Sequence, residues 1–336
     1  MEQNRINRMG GRLLGGLKNM KRSSALSSIL VFAALLIINA AIQPRFFAYP
    51  VIKSNLMTFA PLILLAIAQA IIVISGSIDL SIGTSVTLIN VVMASIMQDS
   101  TGSIFLAMLA GVGVAMATAA VNGVCIGLIK MPPLVTTFAT STIWYGISLL
   151  IMPQPGGYVP KEYYRLYSKS IGEFLPVALI FIVVAVLIWQ YVKSRRIYRN
   201  IYATGGNEAA AQANGIGTGK VKLSAFLLAS VFTALAGFCV TALTASGDAH
   251  VGDTFALTSI ASIVIGGIAL AGGRGKIYGA ILGAISLSLL MNIIFFANIP
   301  SLYQEFIKGL IIIVSLVLSI IPSMRQRKKQ HIVKSV

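Results

Sequence analysis

The sequence predicts an all-α protein whose helices cross a membrane about ten times. Apolar residues make up 57% of the 336 positions, charged residues only 10%, and the mean hydropathy is +0.87. Soluble domains contain about 25% charged residues. Long apolar segments also alternate with short basic ones along the chain. We therefore predict a single polytopic membrane domain, residues 1–336, without a separate soluble domain.

Ten segments approach the roughly 20 apolar residues that a helix needs to cross the hydrocarbon core. The first of them is short, and basic residues precede it, so a cleaved signal peptide is the alternative interpretation of that segment. Nine further segments favour a retained helix. The predicted spans are Leu26–Ile42, Leu56–Ile74, Leu80–Met97, Ile104–Ile129, Leu134–Met152, Ile171–Val192, Leu223–Ala245, Phe255–Ala271, Ile277–Ala297 and Tyr303–Ile321.

The basic residues indicate how these spans are oriented. With a cytoplasmic N-terminus, ten crossings place both termini inside, and inside segments then hold 20 of the 26 Lys and Arg residues against five outside. This asymmetry is typical of membrane proteins, whose cytoplasmic loops are enriched in Lys and Arg. The formal charge of +17 therefore indicates topology, and we expect no nucleic-acid partner. The inside segments are the basic head 1–25, Lys130, the loop 193–222, Arg274 with Lys276, and the basic tail 322–336.

Few residues suit catalysis or metal binding. Cys125 and Cys239 lie inside apolar segments, and we expect His250 and His331 each to be without a nearby ligand partner, so a histidine-based catalytic or metal site is not expected. The segment 215–221 comes nearest to a nucleotide phosphate loop, but its spacing is wrong and it lacks the hydroxyl that binds Mg²⁺. We therefore predict that this chain is not an enzyme and binds no metal or cofactor of its own.

One membrane segment, Ile74–Gly83, is interrupted by two glycines, three serines and Asp79. A carboxylate at membrane depth costs about 2.5–3.5 kcal/mol on insertion scales, so Asp79 is a candidate functional residue. The alternative is that Asp79 sits in a turn and caps the next helix. Other polar side chains within spans either join helices by hydrogen bonds or line a path for a polyhydroxylated solute. The candidate path residues are Gln69, Ser77, Asp79, Ser81, Asn90, Tyr145 and Asn292.

The loop 193–222 contains a predicted short helix on the inner face. A Gly-Gly pair can turn the chain, Asn207 can cap a helix, and Glu208 favours its first turn. Alanines 209–211 and 213 favour helix, and a glycine ends it. Such a bare alanine helix suits insertion into a cleft of another protein. The candidate coupling residues are Gly205, Gly206, Asn207, Glu208, Ala209, Ala210 and Gly215.

These motifs together resemble the membrane subunit of bacterial ABC-type sugar importers, the ribose/xylose/galactoside permease family. The resemblance covers residues 50–322 and rests on four ordered segments: 75–83 (SGSIDLSIG), 205–211 (GGNEAAA), 266–275 (GGIALAGGRG) and 303–309 (YQEFIKG). It implies a bacterial inner-membrane protein in which two permease subunits, identical or different, enclose one path. It also implies a cytoplasmic ATPase that binds ATP, an external solute-binding protein, and coupling to the ATPase through the 205–215 helix.

One stretch departs from the family pattern. Members often carry acids in the segment before the Gly-Gly of the eighth span, whereas this chain has Ala256 and Thr258 at those positions. This departure indicates either an atypical solute or one half of a heterodimer whose partner keeps the acids. On the outer face, Lys161, Arg165 and Lys169 could steer an acidic binding protein. Ordinary solvation of a basic loop is the alternative.

Two other classes of function remain open from the sequence. An ion-coupled secondary transporter would use Asp79 as a proton or sodium site between broken helices, and would need no ATPase. It would leave the alanine helix unexplained. A non-transporting membrane scaffold would leave the buried polar residues unexplained. The permease of a binding-protein-dependent importer is therefore the leading hypothesis.

Overall fold

The computed structural model describes residues 24–172, 175–297, 299–300, 303–304, 306–307, 309–310 and 313. Within these residues the regular secondary structure is almost entirely helical, which confirms the predicted all-α class. Residues 1–23, the tail 322–336, Lys308 and most of the predicted span Tyr303–Ile321 lie outside the described part. The helices are α1 (Ser24–Ile42), α2 (Tyr49–Ile74), α3 (Ile82–Ile96), α4 (Thr101–Gly127), α5 (Pro133–Ile151), α6 (Lys161–Ser168), α7 (Val177–Lys193), α8 (Arg196–Gly206), α9 (Glu208–Ala213), α10 (Thr218–Thr244), α11 (Phe255–Ile265) and α12 (Ile277–Phe296).

Five described helices are long and apolar enough to cross a membrane: α2, α4, α5, α10 and α12. Helices α7 and α8 count as a sixth crossing if they form one span, although they meet at a bend of 82°. The apolar helices α1, α3 and α11 are shorter. An 11-residue helix such as α11 is only about 16 Å long, roughly half of the hydrocarbon core. The chain is therefore a multi-pass membrane protein, and the count of ten crossings stays a prediction.

The core of the bundle is built around α2. All of its residues from Phe59 to Ile74 are buried, as expected for a helix that is apolar on every face. Helices α10, α11 and α12 pack against it, and α10 also packs along α4. By contrast, α4 and α5 expose large apolar side chains such as Phe105, Leu109 and Phe138. Such surfaces suit contact with lipid.

Two predicted spans are corrected by the structure. The span Ile171–Val192 begins later, at Val177, because two short antiparallel strands precede it, β1 (Ser170–Ile171) and β2 (Leu175–Pro176). The span Phe255–Ala271 is helical only to Ile265. The helix stops shortly before Gly267, whose positive φ of 80° a right-handed helix does not allow. Gly272 and Gly273, with φ angles of 86° and 64°, likewise prevent a regular helix immediately after the predicted span.

A non-helical segment, residues 246–254, runs alongside α3. Near the end of α3, a Cβ on Gly247 would lie 2.9 Å from the Cβ of Ala94. Near its start, the backbones of Gly252 and Gly83 are too close for a Cβ on either, and Gly252 N donates to Thr87 Oγ1 at 3.0 Å. The segment thus covers about 16 Å along α3. Irregular backbone at membrane depth is tolerated where it packs against protein in this way.

The loops sort into two groups at opposite ends of the bundle. At one end, Gly273 N donates to Ile74 O at 3.0 Å, beside the loops that carry Lys130 and α9. At the other end, Gly156 and Gly247 exchange two backbone hydrogen bonds of 2.9 and 2.7 Å. The sequence assigned the first group to the cytoplasmic side and the second to the outside. Their grouping agrees with that assignment, and which end is cytoplasmic stays a prediction.

Candidate functional site

The predicted short helix is present as α9, Glu208–Ala213, at the end of the bundle assigned to the cytoplasm. Asn207 caps it, because its Oδ1 accepts a hydrogen bond of 3.0 Å from Ala210 N. Gly215, with a φ of 79°, ends the turn that follows. One detail differs from the prediction: Gly205 and Gly206 are the last two residues of α8 rather than a free turn. They therefore connect α9 rigidly to a second helix.

The exposed positions of α9 combine three alanines, 209, 210 and 213, with Glu208 and Gln212. Ala209 and Ala210 are exposed, whereas Ala211 is buried against the bundle. Glu208 receives a hydrogen bond of 2.7 Å from Lys222 Nζ at the start of α10. Partial burial alone would raise the pKa of Glu208, but the bond and charge of Lys222 lower it below the ordinary value, so the ion pair persists at neutral pH and is lost only in acid.

An open cleft of about 480 Å³ lies beside α9. The turn between α4 and α5 forms one wall, and the start of α10 forms another. The exposed alanines of α9 protrude beside a concave cleft. A surface of this shape suits docking against another protein. Its lining residues are Ile126, Lys130, Met131, Pro132, Pro133, Glu208, Ala209, Gln212 and Lys222.

Immediately before α9, three segments of backbone meet without intervening side chains. A Cβ on Gly205 would overlap the carbonyl oxygen of Ile74 and lie 2.8 Å from Gly273 N. A Cβ on Gly272 would lie 2.8 Å from Gly205 O and 3.0 Å from the Cα of Gly76. We call these four residues, Gly76, Gly205, Gly272 and Gly273, the glycine junction. It joins the end of α8 to the break after α2 and to the loop between α11 and α12.

The break after α2 holds a buried polar network. Asp79 Oδ1 accepts two hydrogen bonds of 2.7 Å, from the backbone N and the Oγ of Ser81. Asn122 Nδ2 donates to Ser81 Oγ at 2.7 Å, and Thr140 Oγ1 donates to Asn122 Oδ1 at 2.7 Å. Helices α4 and α5 are thereby tied to the break. Thr137 Oγ1 adds a second tie, because it accepts from Leu80 N at 3.1 Å.

These contacts favour a structural role for Asp79. Its side chain closes the turn into α3 rather than facing an open path, and Asp79 is only 6% exposed. It borders a small cavity, large enough for about one water molecule, with Ser85, Thr118 and Thr233. The alternative that Asp79 sits in a turn thus fits the geometry better than direct contact with a solute. Its capping part is corrected, because Ser81 is the N-cap residue of α3 and no side chain caps that helix.

The remaining predicted path residues do not converge on one place. Gln69 and Ser77 are buried without hydrogen-bond partners for their side chains in the described structure. Asn292 Nδ2 donates to Asn55 Oδ1 at 3.0 Å, between α12 and α2. Asn90 and Tyr145 instead both contact the segment 246–254. Among the predicted path residues, the structure therefore brings together two pairs. Asp79 contacts Ser81 directly, and Asn90 and Tyr145 are linked through the segment 246–254.

The segment 246–254 contributes Asp248 and Asp253, which the sequence analysis missed, and His250, which it expected to lack a nearby partner. That expectation is corrected, because both aspartates contact His250. His250 Nδ1 lies 3.1 Å from Asp253 Oδ2, and the His250 ring lies against Tyr145 with the ring centres 5.5 Å apart. Asn90 Oδ1 accepts from Asp248 N at 2.8 Å and so fixes the segment on α3. The sequence did contain a signal, because three ionisable residues within six positions are unusual in a chain with nine acids and two histidines.

The three predicted docking cations lie on or next to α6. Lys161, Arg165 and Lys169 are all exposed. The opposite side of α6 is anchored by two buried tyrosines, since Tyr163 Oη donates to Phe238 O at 3.0 Å and Tyr167 Oη donates to Met57 O at 2.8 Å. The cations therefore face outward from a firmly held helix.

Comparison with known proteins identifies the class. Residues 51–316 match the family of branched-chain amino acid transport system permease components. The chain belongs to this family. Transport permeases, rather than enzymes, thus make up its relatives. No solved structure matches the chain significantly.

Three curated relatives illustrate the similarity. The ribose import permease protein of Bacillus subtilis is 30% identical over 84% of this chain and 89% of its own. The D-allose transport system permease protein of Escherichia coli is 30% identical over 76% and 79%. The autoinducer 2 import system permease protein of Salmonella choleraesuis is 29% identical over 88% and 86%.

Positions 256 and 258, where the resemblance leads us to expect acids, lie in the first turn of α11. Ala256 N lies 3.2 Å from where a Cβ on Gly83 would be, so its backbone packs closely against α3. Thr258 Oγ1 donates to Thr254 O at 2.8 Å within its own helix. Neither residue carries a charge, and the nearest acid along the chain is Asp253, immediately before the helix.

Proposed function

We propose that this chain is the membrane-spanning permease subunit of an ATP-binding-cassette importer that moves a small sugar or sugar-like solute. The family and the named relatives support the class of transport. The observation that carries the rest is α9, a capped helix with exposed alanines beside an open cleft, at the end of the bundle where three loops meet. Such a helix can dock into a cleft of a partner protein, and movement of that partner would then displace the helix.

The partners belong to the same proposal. A cytoplasmic ATPase subunit binds and hydrolyses ATP, while this chain binds no nucleotide or metal of its own. A second permease subunit, either another copy or a related chain, completes the path, and an external solute-binding protein delivers the solute. The bundle crosses the bacterial inner membrane ten times, with both termini, the loop 193–222 and the tail 322–336 in the cytoplasm.

The glycine junction supplies a route for force. When the ATPase closes and moves α9, Gly205 moves with it, because Asn207 follows directly after α8. Gly205 is in backbone contact with Ile74 and Gly273, so no flexible side chain absorbs the movement. The break that holds Asp79 and Ser81 must then shift relative to α4 and α5. Two such arrangements of the break would alternate access, provided that the ATPase states contact α9 differently.

Co-purification tests this proposal. We expect the chain to form a stable complex in detergent with an ATPase subunit that carries a nucleotide phosphate loop. A complex that forms equally well without α9 exposed, for example after bulky labelling of cysteines placed at Ala209 and Ala210, would contradict the docking role. Failure to recover any ATPase with the native chain would contradict the proposed function itself.

The basic residues of α6 give a second prediction. Reversing Lys161, Arg165 and Lys169 to glutamate is expected to slow association of the binding protein about tenfold at low salt, because charged rims mainly affect association rates. The difference should disappear at high salt, where surface charges are screened. Stopped-flow association kinetics measure it. Reversing Lys193, Arg195 and Arg196, which are exposed at the opposite end, is the matched control. Unchanged association at low salt would leave ordinary solvation as the role of these residues.

A further inference from the structure

The segment 246–254 places ionisable side chains alongside α3, an apolar helix that the sequence predicts to cross the membrane. It runs beside α3 from the level of Ala94 to that of Gly83, and Asn90, in the middle of α3, holds Asp248 N. His250 lies between these two levels. The cluster is therefore neither at a loop tip nor at the edge of the bundle.

The side chains of this cluster point away from the core. The His250 and Asp253 side chains are 58% and 51% exposed, and Tyr145 on α5 is partly exposed beside them. His250 N donates to Asp248 Oδ1 at 2.9 Å, which orients that carboxylate within the same segment. In the described part of the chain, no lysine or arginine forms an ion pair with either aspartate.

A surface of this composition does not suit lipid. Ionisable residues at membrane depth face the interior of a bundle or a water-filled cavity, because the hydrocarbon cannot solvate them. These side chains are exposed in the single chain. We therefore expect water or a polar partner, rather than lipid, to cover this surface in the membrane. We infer that Tyr145, Asp248, His250 and Asp253 line the solute path, and that they contact a neutral, polyhydroxylated solute. This inference rests on the proposed function, in which a second permease subunit closes the path on the other side.

The chemistry of the cluster fits such a solute. Ionised carboxylates accept hydrogen bonds from hydroxyl groups, and the imidazole nitrogens of His250 offer a donor or an acceptor. The Tyr145 ring provides an apolar face for the C–H groups of a sugar, and its hydroxyl lies 3.5 Å from the His250 nitrogens. A few convergent polar groups beside an aromatic surface are typical of small-molecule sites. The cluster also supplies acids close to Ala256 and Thr258, where the family's usual acids are missing.

The test uses the assembled complex in proteoliposomes and a cysteine next to the cluster, Thr254→Cys, which leaves all four residues intact. Thr254 is exposed. A charged, membrane-impermeant thiol reagent is expected to label it faster than the background from Cys125 and Cys239 in the unsubstituted chain. The control is Ile143→Cys, which is 54% exposed but lies about 200° around α5 from Tyr145 and should face lipid. It should not be labelled above the background.

Sugars then serve as probes of the ligand. D-Ribose, D-allose and D-xylose are tested, and we expect at least one to slow the labelling about tenfold when about nine-tenths of the sites are occupied. Asp253→Asn and Tyr145→Ala should keep the labelling but lose this protection, whereas Asp99→Asn, which removes a carboxylate from the α3–α4 turn, should keep both.

Three outcomes would overturn the inference. Labelling of Thr254→Cys no faster than that of Ile143→Cys would exclude a wet path on this face. Protection by sodium ions but by no sugar would make the cluster an ion site. Protection that persists in Asp253→Asn and Tyr145→Ala would place the solute elsewhere. Sugar-stimulated ATP hydrolysis, measured on the same vesicles, reports separately on the proposed function, so an importer with its solute path elsewhere is distinguished from a protein that is no importer.

Discussion

Replacing Gly205 by alanine is expected to leave the protein in the membrane but to reduce solute uptake per ATP hydrolysed about tenfold or more, within the usual range of coupling energies between sites. The added Cβ would overlap the carbonyl oxygen of Ile74 and crowd Gly273 N, so the glycine junction must open. ATP hydrolysis should continue, because α9 itself is untouched. Uptake and phosphate release, measured together in proteoliposomes, give the ratio.

The neighbouring glycine provides a matched control. A Cβ on Gly206 meets nothing within 4 Å, and its φ is not in the left-handed region. Gly206→Ala should therefore keep the native ratio of uptake to hydrolysis. Gly279→Ala controls for crowding elsewhere, since its Cβ would overlap Gly266 O between α11 and α12. Gly76→Ala would place a Cβ 3.3 Å from the Cα of Gly205, and the φ of 87° at this position also strains an alanine, so we expect partial uncoupling together with some loss of stability.

Two results would contradict this account of force transmission. Equal ratios in Gly205→Ala and Gly206→Ala would mean that the contact with Ile74 and Gly273 carries no force. Equal losses in Gly205→Ala and Gly279→Ala would mean that any tight glycine packing matters, wherever it lies. Should Gly205→Ala fail to insert, the ratio in Gly76→Ala decides between the same alternatives.

The second large effect is expected at α9. Changing Ala209 and Ala210 together to glutamate should weaken binding of the ATPase subunit at least about tenfold, as the loss of a central interface contact does. Both alanines are exposed, and bulky charged side chains would prevent the helix from entering a cleft. Glutamate near the N-terminus of a helix stabilises it, so α9 itself should persist. Sedimentation of the complex at known subunit concentrations measures the affinity.

The corresponding control changes the same two positions to serine. Serine adds one hydroxyl group and little volume, so Ala209→Ser with Ala210→Ser should bind the ATPase nearly as the native chain does. Native-like binding of the double glutamate variant, with the protein correctly inserted, would show that α9 is an ordinary surface helix. The proposed coupling role would then be lost.

The sequence was most informative where structure is decided locally. Asn207, Glu208 and Gly215 determine where α9 begins and ends through contacts within a few residues, and the prediction for this helix is confirmed. Long apolar segments likewise predicted the helical class. The ends of α7 and α11 were wrong because apolar composition does not report the local geometry of Gly172 or Gly267, whose positive φ angles interrupt regular structure.

The site itself depended on contacts between distant residues. Gly76 and Gly205 are about 130 positions apart in the sequence, and Gly205 and Gly273 are about 70 apart, yet the three residues meet. No local sequence pattern indicates such a contact. The segment 246–254 reads as an ordinary polar loop. It runs along α3 only because Gly83 and Gly252 allow two backbones to touch. Its aspartates and their contacts with the histidine were therefore missed, and Asp79, the isolated acid, attracted the functional interpretation instead.

Reconstitution tests the central claim most directly. The purified chain is placed in sealed vesicles, either alone with a sodium or proton gradient or together with its ATPase, binding protein and ATP. We predict that sugar accumulates only in the second case. The rate of sugar uptake should depend on ATP, and changing both Ala209 and Ala210 to glutamate should abolish it. Uphill accumulation by the chain alone, driven by a cation gradient, would contradict the account and identify a secondary transporter.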